Sequence, residues 1–404
     1  MPPIPSLRDA VATRAVRAVN VLSRLTVGGS GTVIGGRVGL AMAPRLLDDL
    51  SRTRTVALVS GTNGKTTTTA MIAAGWGGDV ATNETGSNMP AGHVAALVAS
   101  NSRSAVLEVD EAWLAKATTA TKPRVITLLN LSRDQLDRAS EVRQLSERWR
   151  ALLTGYDGAT IVANANDPLV VYAAELATHV AWCAVPTPWN IDAVSCPRCT
   201  LPLRFLNDSW WSVCGFSKPL NIATTLGDGL VVRGTRLDLD LHLPGEFNES
   251  NAAMALTALS YLGVDLPDAL ARVNALASVA GRFGIRRWRG HKLRLLLAKN
   301  PAGFSAILST LKDDDLDVWV AINARVADGL DPSWLYDVPF ERLRGHMVYC
   351  FGDRRLDLAT RLYYAGVECV VVQDEASLPA SSDVINVLAN YTAFQVWRER
   401  SGPC

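Results

Sequence analysis

The chain has 404 residues, and 40 Lys and Arg stand against 39 Asp and Glu, so its formal net charge is +1. Hydrophobic residues make up 48% and charged residues 20%, a composition that is typical of globular proteins and excludes a disordered chain. The balanced charge disfavours a nucleic-acid binder, which would carry an excess of Lys and Arg. At about 100–200 residues per domain, the length predicts two or three domains.

The first 25 residues predict an amphipathic helix rather than a signal peptide. Their arginines are spread at helical intervals among Ala, Val and Leu, whereas a signal peptide places its charge before one unbroken apolar core. Such a helix could pack on the protein or contact a membrane surface, and packing is the general rule. No apolar run reaches the ~18 residues that span a bilayer. We therefore expect a cytoplasmic protein, with peripheral contact at the inner membrane face as an alternative.

Short apolar runs alternate with helical patterns along the next part of the chain. Residues 56–60 end at Gly61 and are followed by a helical pattern over 66–74. Similar apolar runs recur at 105–109, 125–129 and 160–163. This alternation predicts a mostly parallel α/β sheet. Residues 190–220 are rich in Cys, Pro and Trp and interrupt the pattern, as a small inserted module would.

The second half of the chain returns to strands and helices. Residues 230–243 alternate as a strand does, and residues 251–262 form an Ala-rich helical pattern. A composition change near 280–290 predicts a domain boundary, and four strand-like runs follow it: 293–297, 318–322, 347–351 and 369–372. The predicted domains are an N-terminal helical segment (1–48), a central α/β domain (49–280, with the insertion at about 190–220) and a second α/β domain (281–404).

Residues 60–67, SGTNGKTT, follow a predicted strand and open a predicted helix. In such a loop, backbone N–H groups and the helix N-terminus point at phosphate oxygens. Lys65 would reach the β- and γ-phosphates of a nucleotide, and the Thr66 hydroxyl would bind Mg²⁺. An ordinary glycine-rich turn is the alternative, but the flanking strand and helix favour a nucleotide. Two residues separate Gly61 from Gly64, whereas four are usual.

The run GTNGKTT resembles the short phosphate loop of the Mur ligases and the related folylpolyglutamate synthases. Further segments match in the expected order: TNETGSNM (82–89), EVDE (108–111), NLSRDQLDR (130–138), NANDP (164–168), GEFNESN (245–251) and GRF (281–283). Enzymes of this family use ATP to activate a carboxylate as an acyl phosphate and then join it to an amine. The resemblance implies a Mur ligase-like central domain followed by a Rossmann-like C-terminal domain.

Three further features resemble one branch of that family: the Cys-rich insertion, KNPAGF (299–304) and ADGLDPSWLYD (327–337). This branch contains the MurT-type synthetase subunits of lipid II isoglutaminyl synthase. The resemblance implies that ATP phosphorylates the α-carboxylate of D-glutamate in the lipid II stem peptide. Ammonia from a GatD-type glutaminase, the partner in a heterodimer, would then give D-isoglutamine. The substrate would lie at the cytoplasmic face of the membrane, and no nucleic acid is involved.

The resemblance also implies roles for individual residues. The loop residues Gly61, Thr62, Asn63, Gly64, Lys65, Thr66 and Thr67 would bind ATP. Glu108 matches the glutamate that binds Mg²⁺, and a solvated carboxylate at a strand end is the alternative. Asn251 matches the asparagine that contacts adenine, with Asn248 beside it, although either could be a helix N-cap. Arg282 matches an arginine that touches the nucleotide phosphates, or it is a solvated linker charge.

Aspartates mark the other implied roles. In this branch an aspartate at the place of Asp331 completes a Cys-His-Asp triad whose Cys and His come from the glutaminase. The local sequence fits a turn or N-cap aspartate before Pro332 equally well. Asp328 and Asp337 are nearby rivals. Asp134 and Gln135 replace the aspartate–histidine pair that is common in other Mur ligases, so their roles stay open.

The Cys-rich insertion raises the question of zinc. Cys196 and Cys199 form a CxxC pair, and Cys214 fits the second member of a later pair, whose first member would fall at Trp211. A structural zinc site needs four ligands. Three thiolates could hold zinc with an outside ligand, Cys183 or His179. Alternatively, the module has lost its metal and is held by Trp210, Trp211 and Phe216.

Two other functions remain as hypotheses. The first is a stand-alone amino-acid ligase of the Mur or folylpolyglutamate type, against which the Cys-rich insertion and the Asp331 segment speak. The second is a nucleotide-binding regulator without catalysis, against which the intact Lys65, Thr66 and Glu108 speak. No glutaminase nucleophile is apparent in the sequence, and this fits a separate partner.

Overall fold

The computed structural model describes residues 7–27, 32–83, 87–133, 141–187, 191–279, 283–311, 317–373, 378 and 384–403. The α-helices of the first 280 residues are α1 (Leu7–Val27), α2 (Thr32–Met42), α3 (Leu46–Ser51), α4 (Lys65–Trp76), α5 (Pro90–Ala99), α6 (Leu114–Thr121), α7 (Glu141–Leu153), α8 (Pro168–Ala174), α9 (Glu246–Leu262) and α10 (Leu266–Asn274). The strands of the same region are β1 (Thr55–Ser60), β2 (Ala81–Thr82), β3 (Ser104–Glu108), β4 (Val125–Leu128), β5 (Thr160–Asn164), β6 (Val180–Ala184), β7 (Arg204–Leu206), β8 (Ser209–Trp211), β9 (Ile222–Gly227), β10 (Gly229–Val232) and β11 (Thr235–Leu237).

The first sheet has nine strands in the order β11-β10-β9-β6-β5-β4-β1-β3-β2. The strands from β9 to β2 in that order pair in parallel, and β10 and β11 add an antiparallel edge. Parallel strands are covered on both faces, which is why they appear in the sequence as unbroken apolar runs. Leu58 packs with the helices of one face and Val59 with those of the other. The predicted parallel sheet is confirmed.

Residues 230–243 do not form the single strand that their alternation predicts. The chain reverses at Arg233 and Gly234, whose φ angles are 49° and 84°. Two consecutive residues with positive φ are typical of a tight hairpin turn. Strand structure ends at Leu237, so residues 238–243 lie outside the sheet.

The Cys-rich insertion packs on the main core rather than apart from it. Strands β7 and β8 form a small hairpin of their own. Trp210 and Phe216 are buried, their ring centroids lie 4.9 Å apart, and both belong to the core cluster beneath the first sheet. Trp210 also donates a hydrogen bond from Nε1 to the carbonyl oxygen of Ala165, at 3.1 Å. Aromatic packing therefore contributes to holding this module.

The second sheet lies C-terminal to residue 282. Its elements are β12 (Phe283–Trp288), β13 (His291–Leu297), α11 (Pro301–Thr310), β14 (Val318–Ala321), β15 (Val348–Phe351), α12 (Arg355–Ala365), β16 (Cys369–Val371), β17 (Val384–Ala389), α13 (Tyr391–Arg400) and β18 (Gly402–Pro403). The strand order is β16-β15-β14-β17-β13-β12-β18, parallel from β16 to β13 and antiparallel beyond. The predicted domain boundary at residues 280 and 281 falls outside the described residues.

The N-terminal helices pack against α5. Ala12 and Val16 of α1 are fully buried, so the predicted N-terminal helix packs on the protein. In α2, a Cβ atom on Gly36 would lie 1.8 Å from the carbonyl oxygen of Ala91. Glycine at this position therefore allows the backbones of α2 and α5 to touch. Among the described residues, no helix is long and apolar enough to cross a membrane.

Candidate functional site

The phosphate loop joins β1 to α4 at the carboxyl edge of the parallel sheet. Gly61 and Gly64 have φ angles of 143° and 86°, which favour glycine. A Cβ atom on Gly61 would lie 2.9 Å from Cβ of Leu129, and one on Gly64 would lie 2.4 Å from Oδ1 of Asn251. Both glycines are therefore required by backbone conformation and by close neighbours. β1 lies between β3 and β4, where the strand order changes direction and open α/β sheets bind ligands.

The segment after β4 fixes the shape of this loop. The backbone N–H of Asn63 donates to Oδ1 of Asn130 at 2.9 Å, and Nδ2 of Asn130 donates to the Asn63 carbonyl at 3.0 Å. The Thr62 hydroxyl donates to the Ser132 carbonyl at 3.1 Å and accepts from the Ser132 N–H at 3.0 Å. These reciprocal hydrogen bonds fix the conformation of the loop in the absence of a ligand, so the loop is preorganised to bind an anion.

Lys65 is 5% exposed and points its ammonium group back along the loop. Its Nζ donates to the carbonyl oxygens of Gly61 and Thr62 and to Oε2 of Glu111, the last at 3.1 Å. The side chain of Glu111 is only 12% exposed, so the pair is shielded from water. The carbonyl oxygen of Glu111 accepts a hydrogen bond from Trp149 Nε1, which ties this turn to α7.

Thr66 and Glu108, which the sequence predicts to bind Mg²⁺, are in direct contact. The Thr66 hydroxyl donates to Oε2 of Glu108 at 2.8 Å, and Glu108 is 2% exposed, so a solvated strand-end carboxylate is wrong. The backbone of Glu108 exchanges two 2.8 Å hydrogen bonds with the Asn83 side chain. Its carbonyl also lies 2.8 Å from Nε2 of His93. Two hard oxygen atoms in contact beside a phosphate loop suit Mg²⁺.

His93 supports Glu108 as a neutral imidazole. Burial is the largest influence on this side chain and lowers its pKa to about 4, against a smaller raising effect of the hydrogen bond to Glu108. A neutral ring donates from Nε2 to the Glu108 carbonyl oxygen. No role was assigned to Asn83 or His93 from the sequence. Asn83 lies in the segment TNETGSNM, which was used only for the family resemblance, and His93, inside α5, carries no local pattern from which a role could be inferred.

The lowered pKa of His93 predicts a pH-dependent stability. The unfolded chain binds a proton near pH 6.5 and the folded chain only near pH 4, so stability is complete above pH 6.5 and falls as the pH drops toward 4. Between pH 7 and pH 5 the loss is about 2 kcal/mol. His93→Gln keeps a hydrogen-bond donor but cannot titrate. Between pH 7 and pH 5 its free energy of unfolding should therefore fall by about 2 kcal/mol less than that of the unchanged chain. Urea unfolding at both pH values measures it, and equal losses would contradict the assignment.

The cleft of about 250 Å³ above the loop is lined by both α/β units. Asn251 and Asn248 line it from inside α9, whose N-cap is Gly245, so the N-cap alternative for these asparagines is wrong. From the second unit, Nδ2 of Asn300 donates to Oδ1 of Asn63 at 3.1 Å. Asn300 caps α11 before Pro301, a local Asn-Pro signal that sequence reasoning could have used.

The three aspartates of the 327–337 segment differ in environment. Asp328 is 4% exposed, and its Oδ1 accepts the Thr392 N–H at 2.8 Å. Asp337 lies 3.6 Å from Nη1 of Arg133. Asp331 is exposed and caps a 3₁₀ turn by accepting the Ser333 N–H at 2.8 Å, as the N-cap alternative predicts. That hydrogen bond lowers the pKa of Asp331, so its carboxylate is charged and accessible.

Three further predicted positions lie outside the described residues. They are Arg282, Asp134 and Gln135. Their predicted or open roles therefore stay as the sequence left them. The cleft brings together the other predicted nucleotide residues, from Thr62 to Thr67 and Asn251, and Gly61 begins the same loop.

The three cysteines of the insertion come together. The Sγ atoms of Cys196, Cys199 and Cys214 lie within 4.8 Å of one another. Cys183 is instead buried against Thr257, and neither it nor His179 joins the cluster, so both are wrong as a fourth ligand. Ser212 lies beside the cluster, with its Oγ 3.3 Å from Sγ of Cys199. The contact with Ser212 is the largest cause of a lowered pKa of Cys199, about 7.

Ser212→Cys should complete this cluster as a zinc site. A thiolate at the Ser212 position would supply the fourth sulfur of a tetrahedral set, so we expect zinc affinity to rise at least about tenfold. Competition with a chromophoric chelator measures that affinity. Ser217→Cys, on an exposed position of the same module, controls for an added thiol. Equal affinities for the two variants would show that position 212 does not face the metal.

Comparisons with known proteins show which proteins this chain resembles. The Mur ligase middle domain matches residues 59–185, and the MurT ligase C-terminal domain matches residues 297–394. The chain is 27% identical to the lipid II isoglutaminyl synthase (glutamine-hydrolyzing) subunit MurT of Streptococcus pneumoniae, over 94% of this chain and 93% of that relative.

Solved structures agree on the fold. A pseudomurein peptide ligase type C from Methanothermus fervidus has a TM-score of 0.63 at 19% identity, over 86% of this chain and 78% of its own. A MurF ligase from Thermotoga maritima, solved in complex with ADP, has a TM-score of 0.60 at 15% identity, over 90% and 83%. The fold and the phosphate loop thus define a Mur ligase-like protein. Within that class the chain is MurT-like along nearly its whole length, which confirms the resemblance predicted from the sequence.

Proposed function

We propose that the chain is the ATP-dependent synthetase subunit of a lipid II isoglutaminyl synthase. It activates the α-carboxylate of D-glutamate in the lipid II stem peptide as an acyl phosphate, and ammonia displaces the phosphate to give D-isoglutamine. The observation that carries this proposal is the contact of Thr66 with Glu108 beside the phosphate loop, in a chain with MurT-like similarity at both ends.

The residues of the loop divide the work on ATP. ATP supplies the phosphoryl group that makes the carboxylate oxygen a leaving group. Backbone N–H groups of residues 61–67 bind the phosphates. The ammonium group of Lys65 leaves its hydrogen bond to Glu111 and donates to a phosphate oxygen instead. Thr66 and Glu108 would hold Mg²⁺, which offsets the charge on the phosphates. Asn251, 8% exposed at the cleft wall, would contact the adenine. Arg282 would contact the phosphates, as the resemblance implies.

The parts of the chain have different roles in this function. Residues 49–280 bind ATP, residues 281–404 contact a GatD-type glutaminase in a heterodimer, and residues 1–48 form an N-terminal helical segment. Asp331 orients the imidazole of the glutaminase and stabilises its cation while a thiolate attacks glutamine. Its exposure and charge suit a group that must reach a second protein. The subunit acts in the cytoplasm, at the membrane face where lipid II is held.

Amidation by the purified complex tests the proposal. The full chain is mixed with the glutaminase partner, lipid II, glutamine, ATP and Mg²⁺. The complex should convert glutamine to glutamate and lipid II to its amidated form, which mass spectrometry detects. Ammonium should replace glutamine. If a free amino acid is joined to the stem peptide without the partner, the stand-alone ligase is correct instead. If ATP binds without turnover under any of these conditions, the regulator is correct.

A further inference from the structure

The side of α1 that faces away from the protein is apolar. Inward, Ala12 and Val16 are fully buried. On the opposite side, Val11, Val21 and Leu22 are 46%, 57% and 62% exposed. At about 3.6 residues per turn these three side chains fall on one stripe, together with exposed Ala18. A surface helix that only packs on its own protein carries polar residues there. The outward stripe of α1 therefore needs a different explanation.

The charges of α1 are arranged around this stripe. Arg14 is exposed within it, and Arg8 and Arg17 lie at its two borders, where their Nε atoms donate to the carbonyl oxygens of Met42 and Val98 at 2.6 and 3.4 Å. Asp9 is the one acidic residue of α1. It lies toward α3, where it adds to the stronger effects of Asp48 and Asp49 in raising the pKa of Arg52. The outward stripe is thus cationic and apolar, without a carboxylate of its own helix.

α1 is linked to the region of the cleft through α2, which packs on α1 and on α5. Gly36 of α2 touches the backbone of Ala91, at the start of α5. The residues just before α5 are Asn88, which lines the cleft, and Met89, which is 49% exposed. Ile34 of α2 is also exposed, at 52%. Exposed apolar side chains therefore occur on α1, on α2 and just before α5.

We propose that the outward face of α1, made by Val11, Arg14, Ala18, Val21 and Leu22, binds the surface of an anionic phospholipid bilayer. Apolar side chains would enter the headgroup boundary while arginines contact lipid phosphates, as in helices that lie in the plane of a membrane. Positive charge on an apolar stripe matches an anionic lipid surface. The inference deepens the proposed function because lipid II would lie in the same bilayer, but the binding needs neither ATP nor lipid II.

Vesicle partitioning of the full chain tests this face. Without nucleotide or lipid II, the chain should co-sediment with phosphatidylglycerol-containing vesicles and not with pure phosphatidylcholine, and salt should weaken the binding. The double variant Val21→Asp/Leu22→Asp should lose at least about tenfold in partitioning. Arg14→Gln should lose about fivefold, the effect of one cation near such a surface. Leu220→Asp, at a side chain 94% exposed in the insertion, and Arg103→Gln are the matched controls and should bind as the unchanged chain does.

Two results would overturn the inference. One is no binding of the unchanged chain to anionic vesicles, and the other is equal binding by the double variant. If the double variant binds vesicles as the unchanged chain does but loses a co-purified protein partner, the face binds that protein instead. If the double variant melts at a lower temperature than the unchanged chain, its loss of binding could come from unfolding, and the vesicle binding of Arg14→Gln then tests the inference. Amidation of detergent-solubilised lipid II, which needs no bilayer, should be unchanged in both variants, so failure of the proposed function is distinguished from failure of membrane binding.

Discussion

Lys65→Ala should reduce ATP turnover by at least about 100-fold, with partner binding unchanged. Its ammonium group is the buried cation of the phosphate loop, and the variant would leave the charge on the transferred phosphoryl group unbalanced. Phosphate release by the complex measures turnover, and calorimetry measures the binding of magnesium-ATP. Lys116→Ala, an exposed lysine on α6, is the control and should change neither. Normal turnover in Lys65→Ala would refute the assignment of the loop.

The same variant leaves Glu111 without its cation, at a cost of about 1–3 kcal/mol. Removal of both side chains separates that cost from the loss of catalysis. Lys65→Ala/Glu111→Ala should regain stability in urea unfolding but not ATP turnover. If turnover returns with stability, Lys65 acts on the fold and not on the phosphates.

Asp331→Asn should reduce glutamine hydrolysis by the complex about 10²–10⁴-fold and leave amidation from added ammonium intact. An amide cannot stabilise the imidazolium of the glutaminase, whereas the ATP cleft does not contain Asp331. Glutamate release and lipid II amidation, assayed side by side, measure the two activities.

Asp337→Asn is the matched control for that experiment, because it removes one charge from the same segment at a carboxylate that already faces Arg133. Asp328→Asn should act differently and lower stability, since it disturbs the buried contact with Thr392. If glutamine hydrolysis survives in Asp331→Asn and fails in Asp337→Asn, the partner's triad uses the latter. If it survives in both, the shared triad is wrong.

Local patterns predicted the core of the fold. The runs at residues 105–109 and 125–129 correspond to β3 and β4, because a strand buried on both faces must be apolar throughout. The phosphate loop was also predictable, since its glycines, Lys65 and Thr66 are neighbours in sequence. Thr66 and Glu108 were each expected to bind Mg²⁺, Glu108 through its strand-end position and its match to the family, and the two side chains are in contact.

The unpredicted parts depend on distant residues or on where the chain turns. Residues 230–243 were interpreted from the sequence as one strand, although no large apolar residue lies between Val232 and Leu237; that gap, which contains Gly234, is the local signal of the hairpin between β10 and β11. The pair of Lys65 with Glu111 and the contact of His93 with Glu108 join residues 46 and 15 positions apart. No local spacing encodes such contacts, because they arise only when the sheet brings its strand ends together.

The side-chain amide of Asn300 forms hydrogen bonds on both sides of the cleft. Asn300 accepts the Gly303 N–H on Oδ1 at 2.8 Å, which caps α11, while its Nδ2 reaches the loop at Asn63. Swinging the second unit away breaks the latter bond and leaves the cap in place. A neutral hydrogen bond of this kind is worth about 1 kcal/mol, or roughly a fivefold shift in population. Asn300 therefore gives the second unit a weak attachment to the phosphate loop, beside the contact of Asp337 with Arg133.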